Sequence, residues 1–116
     1  MRKKPREKPL RTRWRKSRLE DLIHRATVDA SSEEEQQMGF HTAIEENMKF
    51  PFKVTLSGSE SVVVGIDVGE DDELVAVCLQ GQNRERRTVP LLELPLPKPP
   101  PRGAEWIEAY RLWLSE

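Results

Sequence analysis

The sequence predicts an α+β fold: a small SH3-like antiparallel β-meander or half-barrel of about four strands, flanked by an N-terminal amphipathic helix and a C-terminal aromatic helix. Three observations predict it. Helical periodicity runs from about Ser32 to Met48 and stops at Pro51. Strand periodicity with tight turn signals then runs from Phe52 to Val89. A closing segment places Trp106, Tyr110 and Trp113 on one helical stripe.

The organising helix is bounded by its own chemistry. Ser31 and Ser32 each have a glutamate three residues on, Glu34 and Glu35, which is the capping-box pattern. Met38, Ile44 and Met48 are read as its buried face, with Glu45 and Glu46 on the wet side. Pro51 pushes Phe50 out of helical space, so Phe50 and Phe52 open an extended segment beside the two carboxylates. Ahead of this helix, Leu19, Leu22, Ile23 and Ala26 fit a short helix over 17–26 opened by Ser17, although 23–28 also reads as extended.

The strands follow as Phe52–Ser57, Ser61–Val68, Glu73–Leu79 and Arg84–Val89, with turns at Ser57-Gly58-Ser59 and Gln80-Gly81-Gln82-Asn83. Val62-Val63-Val64 and the run Leu74–Leu79 are apolar at consecutive positions, which suits a curled sheet covered by helices. Pro90 ends the last strand, 91–94 forms one tight turn, and Pro95, Pro97, Pro99, Pro100 and Pro101 stiffen the crossing to the final helix, Ala104–Leu114. A proline-rich ligand for an SH3-type domain is the other reading of that crossing. Trp106, Tyr110 and Trp113 are read as core residues.

With 116 residues and a very polar first quarter, the chain has room for one compact domain, 17–116 with a core at about 28–114, preceded by a disordered basic arm over 1–16. Charge divides the same way. Ten Lys and Arg against one Glu give the first 18 residues +9, and the remaining 9 basic and 19 acidic residues give −10. The arm suits an anionic partner, nucleic acid or a lipid surface, with Trp14 as a stacking or interfacial anchor. A solubilising tail, or an extension upstream of the true start, explains it equally well. The lone cysteine, Cys78, excludes an internal disulfide and lies in an apolar run, so a buried reduced thiol, a cytoplasmic site and a soluble monomer are expected. No apolar run approaches a membrane span of roughly 18 residues.

Catalysis finds no support. Cys78 is mid-strand, His24 and His41 are not spaced as ligands, and no phosphate loop or serine elbow occurs. The densest chemistry is Asp67-Val68-Gly69-Glu70-Asp71-Asp72-Glu73, five carboxylates in seven residues at a strand turn. Calcium takes six to eight oxygen ligands in loose geometry, a need that flexible carboxylates, carbonyls and water meet better than they meet magnesium's octahedron. The frame is not that of an EF-hand, since the twelfth position counted from Asp67 is Cys78. A charged hairpin tip that is merely solvated is the competing explanation, and for Glu33, Glu34 and Glu35 the helix dipole suffices.

One ordered set of short motifs resembles a known family. Glu33-Glu34-Glu35-Gln36-Gln37-Met38-Gly39-Phe40, Ile44-Glu45-Glu46-Asn47 and Phe50-Pro51-Phe52 are similar to the signature of the cyanobacterial-type calcium-binding proteins, the CcbP-like family. Val28-Asp29-Ala30, Val89-Pro90-Leu91 and the helix Trp106–Trp113 extend the resemblance from about Val28 to Leu114. His41 and Thr42 depart from it, standing where aromatics are expected, as does the basic arm. The resemblance implies a non-EF-hand, non-enzymatic cytosolic Ca2+ buffer or sensor with an acidic surface. It implies ligands among Glu45, Glu46, Asp67, Glu70, Asp71, Asp72 and Glu73, with Glu45 and Glu46 placed just before the Phe-Pro-Phe corner. The alternative function is an adaptor acting on nucleic acid or a membrane surface through the arm.

Overall fold

The computed structural model describes residues 14–116, so the arm expected to be disordered lies, through residue 13, outside the described residues. Seven elements follow in order: α1 (Lys16–Thr27), α2 (Glu33–Asn47), β1 (Phe52–Leu56), β2 (Ser59–Val68), β3 (Leu74–Gln80), β4 (Glu85–Pro90) and α3 (Glu105–Ser115). The α+β class is as expected. The described chain groups into a helical unit, up to Asn47 and again from Gly103–Glu116, and a sheet unit, Met48–Arg102.

In the helical unit, α1 starts earlier than expected. Its N-cap is Arg15 without a side-chain cap bond, so Ser17 sits inside the first turn instead of opening the helix. Leu19 and Leu22 are its buried positions. The cap of α2 is built from Ser31, Ser32 and Glu35: the Glu35 amide donates to Ser32 Oγ (3.2 Å), while the Ser31 amide and hydroxyl donate to Glu35 Oε1 (3.0 and 2.6 Å). The Ser31 hydroxyl, then its amide, hold the Glu35 carboxyl below its ordinary value.

The buried stripe of α2 corrects the expectation for one residue. Phe40 and Ile44 are fully buried, but Met38 is 47% exposed. Whole turns separate positions by three, four or seven residues, and Met38 lies six from Ile44, about 1.7 turns, which places it well off that face. Phe40 anchors the helix instead. Its ring meets Tyr110 of α3 edge-on at 5.6 Å and Trp113 at 5.2 Å. The polar ends of both aromatics are satisfied by α2, with Trp113 Nε1 donating to Gln36 Oε1 (3.1 Å) and the Tyr110 hydroxyl to Gln37 Oε1 (3.5 Å). Trp106 and Trp113 are buried, as the core reading requires, and α3 also buries Glu108, paired with Arg111 Nη1 at 3.0 Å.

The sheet unit is a four-stranded antiparallel meander in the order β1-β2-β3-β4, open, with β1 and β4 as edges. Ser57 (φ 51°) and Gly58 (φ 79°) form the two-residue β1–β2 turn, the positive-φ pair that matches strand twist. A bulge at Val64 separates the pairs Val63↔Cys78 and Gly65↔Val77. It explains the valine run: Val63 points inward, Val64 is 38% exposed, and the inward set resumes at Ile66. Val54, Leu56, Val63, Ile66, Leu74, Val75, Ala76, Cys78 and Val89 are the buried apolar residues of the strands, with Ser61 buried among the polar ones. Cys78 is a free buried thiol, and desolvation pushes its pKa up against an opposing pull from Arg87.

After β4, Leu91 and Leu94 are buried and the Glu93 amide donates to Pro90 O (2.9 Å), giving the expected tight turn. The Phe50–Pro51 and Lys98–Pro99 peptides are cis. The Lys49 amide donates to Arg102 O (2.9 Å), tying the two ends of the unit together.

Candidate metal-binding carboxylates

The acidic loop is shaped by its backbone. Asp67 ends the outward row of β2, and Val68 pairs with Leu74 to set the mouth of the loop. Within it, the Gly69 amide donates to Glu73 O (2.7 Å) and the Asp72 amide to Gly69 O (3.1 Å), with Asp72 at φ 57°. An aspartate tolerates that left-handed conformation better than most residues. A Cβ at Gly69 would lie 2.8 Å from Val75 Cγ1, so a larger residue there would force that side chain to shift. Glu70, Asp71 and Asp72 are exposed and Glu73 is half-buried.

Asp67 already has partners. Its Oδ1 accepts from the Val68 amide (2.8 Å), and its Oδ2 lies 3.5 Å from Arg86 Nη2 of β4. Both side chains are more than half exposed, so this ion pair is a weak, exchangeable contact. Sequence spacing gave no sign of it, because Arg86 is 19 residues away. The meander supplies the contact.

Glu45 and Glu46 occupy the last turn of α2 in the helical unit and are exposed. Glu45 Oε1 lies 3.5 Å from Nδ1 of His41 one turn earlier, and the buried Nε2 of His41 has no hydrogen-bond partner among the described residues. The predicted carboxylates thus fall into two sets, one per unit. Among the described residues, no three His, Cys, Asp or Glu side chains are gathered as a metal-holding group. The donors are of the type calcium prefers, hard and anionic, with loop carbonyls nearby in sequence. Among the described residues no helix is long and apolar enough to cross a membrane.

A family model described as calcium binding, that of CcbP, matches residues 20–114. The comparison with curated protein sequences gives no match. Among solved structures, the chain is similar to the crystal structure of Anabaena CcbP, with 17% identity, a TM-score of 0.66 and coverage of 92% of this chain and 97% of that one. It is also similar to a calcium-binding protein solved in its calcium-binding form, with 19% identity, a TM-score of 0.65 and coverage of 87% and 92%. At these identities the likeness is one of fold. The family model spans nearly all of the described chain, and the chain belongs to the CcbP family of calcium-binding proteins.

Proposed function

We propose that the protein is a non-enzymatic, non-EF-hand Ca2+ buffer or sensor of the cytoplasm whose ligands come from the loop carboxylates Asp67, Glu70, Asp71, Asp72 and Glu73, with Glu45 and Glu46 adding a second acidic position. The observation that carries the reading is the loop: five carboxylates on seven residues, closed by backbone hydrogen bonds and presented largely to solvent. Closely spaced anions raise the local cation concentration, and calcium completes its shell with carbonyls and water.

Ligands not gathered in advance must be ordered when the ion arrives, which lowers affinity. The expected dissociation constant is therefore on the order of 10⁻⁶ M or weaker, in the range of sensor sites and below that of tight buffers. Membership of a calcium-binding family and the closed acidic loop support this reading together.

Calorimetric titration with Ca2+, repeated with Mg2+, tests it. Saturable calcium heat with poor magnesium competition is expected, and it should fall sharply in Asp71→Asn and in Glu46→Gln, which remove charge and keep shape. Wild-type protein without saturable heat up to millimolar calcium refutes the proposal. Loss in Asp71→Asn alone would restrict the site to the loop.

A further inference from the structure

Calcium binding gives no role to the β3–β4 hairpin of the sheet unit. Arg84, Arg86 and Arg87 are three of the four residues from 84 to 87, and cations gathered there do nothing to attract another cation. Arg84 sits in the turn at φ 52°, its amide donating to Gly81 O (3.2 Å), and Arg86 and Arg87 follow on β4. Their described contacts are loose, 3.5 Å from Arg86 to Asp67 and 3.5 Å from Arg87 to Gln80 Oε1.

The strand that carries them is open on one side. In the sheet β4 pairs with β3 alone, so it is an edge, and an edge strand turns a row of N–H and C=O groups outward where a further strand can meet them. The four residues 85–88 are all exposed, whereas β1, the other edge, has no two consecutive exposed residues. Arg86 and Arg87 project to opposite faces of the sheet and flank the same edge.

We propose that β4 binds an extended acidic segment of a partner protein as an added antiparallel strand, with two consecutive acidic residues opposite Arg86 and Arg87. Strand addition takes its affinity from the main chain and its specificity from alternate side chains. Because successive residues of a strand alternate in face, one adjacent acidic pair answers both arginines. Opposite Glu85 the segment carries no acid, since like charges directly across destabilise pairing. A second copy of this chain does not suit the edge: pairing residues 85–88 with the same four residues of another copy sets Arg86 against Arg87 twice. A nucleic-acid duplex fits less well too. It carries about one charge per 1.7 Å of axis, and it offers the outward carbonyls of β4 a row of anions in place of donors. Phosphates at Arg86 would also face Asp67, 3.5 Å from that guanidinium. An added strand lies three strand spacings from β2, about 14 Å, which is beyond the roughly 8 Å screening length at physiological salt, so the acidic loop does not repel it.

The test is fluorescence anisotropy of the full chain, in EDTA so that no metal bridges the two, with a labelled peptide of about eight residues that alternates threonine and valine around two central glutamates. Saturable binding is expected. The same peptide with two central glutamines should bind about tenfold more weakly, at roughly three- to fivefold for each cross-strand ion pair. The double change Arg86→Gln, Arg87→Gln should weaken the glutamate peptide by the same factor and leave the glutamine peptide unchanged. N-methylating the peptide amides that face β4 keeps every charge and removes the donors, and it should abolish binding. The peptide changes read the edge independently of whether the double variant folds. The proposal is overturned by absent saturable binding up to millimolar peptide, or by N-methylation that leaves affinity unchanged, which would mean that charge alone is read. Tighter binding of a labelled DNA duplex than of the glutamate peptide overturns it as well.

Discussion

Replacing Gly39 with alanine sets two effects of opposite sign against each other. In the middle of α2, alanine is favoured over glycine by about 1 kcal/mol through helix propensity alone. Yet at Gly39 α2 lies directly against the backbone of α1. A Cβ built there overlaps the carbonyl oxygen of Ala26 and lies 3.0 Å from its carbonyl carbon. Those are backbone atoms of another helix, so no rotamer change relieves the clash and one helix has to move. Moving it disturbs the packing of Leu22 and Phe40, both fully buried on these two helices. Overpacking of this kind costs about 1–3 kcal/mol, occasionally more. Because the obstacle is backbone, the upper part of that range applies, and the net expectation is destabilisation by about 2 kcal/mol after the propensity gain. Urea unfolding followed by tryptophan fluorescence measures it directly, with the midpoint shifting down at constant slope. A Gly39→Ala variant more stable than wild type would show that propensity dominates and that the α1–α2 approach is not tight.

Trp113→Ala, which empties a site between Phe40 and Tyr110 and leaves Gln36 Oε1 without its indole donor, should cost about 3–5 kcal/mol in the same unfolding assay; a wild-type midpoint would mean that α3 is not docked. Ser31→Ala should raise the Glu35 pKa toward the ordinary carboxylate value, read by NMR titration, because the lowered pKa comes first from the Ser31 hydroxyl. The sign for stability follows: a depressed carboxylate pKa stabilises the fold above the unfolded-state value, and that contribution is lost as pH falls through the folded-state value, so the variant should show a shallower loss of stability in acid. An unshifted Glu35 titration would contradict the cap geometry.

Much of the architecture was legible because local chemistry and tertiary packing agree. The Ser32–Glu35 cap, the Ser57-Gly58 turn and the Pro51 boundary each act within a few residues, and each is found near where the sequence places it. Met38 departs from expectation because its apolar character suggests burial while its spacing does not, whereas Phe40, the true anchor, sits at the spacing that reaches Ile44 one turn on. The bulge at Val64 was not legible: three consecutive valines carry no mark of which one is the extra residue, and only pairing with β3 selects it. The buried Glu108 and its partner Arg111 were also missed. An i,i+3 ion pair on a helix ordinarily reads as a solvated surface feature, and it is the apolar surround of α3 that makes this one buried.

The site divides along the same line. Residue types were legible, since crowded carboxylates identify a hard-cation chemistry whatever the fold. Their arrangement was not, because it depends on contacts distant in sequence: the pairing of β2 with β3 shapes the loop from Gly69 to Glu73, and β4 brings Arg86 to Asp67. That last contact bears on how the loop responds to an ion. A guanidinium 3.5 Å from Asp67 partly neutralises the carboxylate nearest the sheet, leaving Glu70, Asp71 and Asp72 as the more strongly anionic end of the loop. A divalent ion that recruited Asp67 would have to displace Arg86. That displacement costs at most the roughly 1 kcal/mol that an exposed ion pair is worth, so Arg86 weakens recruitment of Asp67 without preventing it.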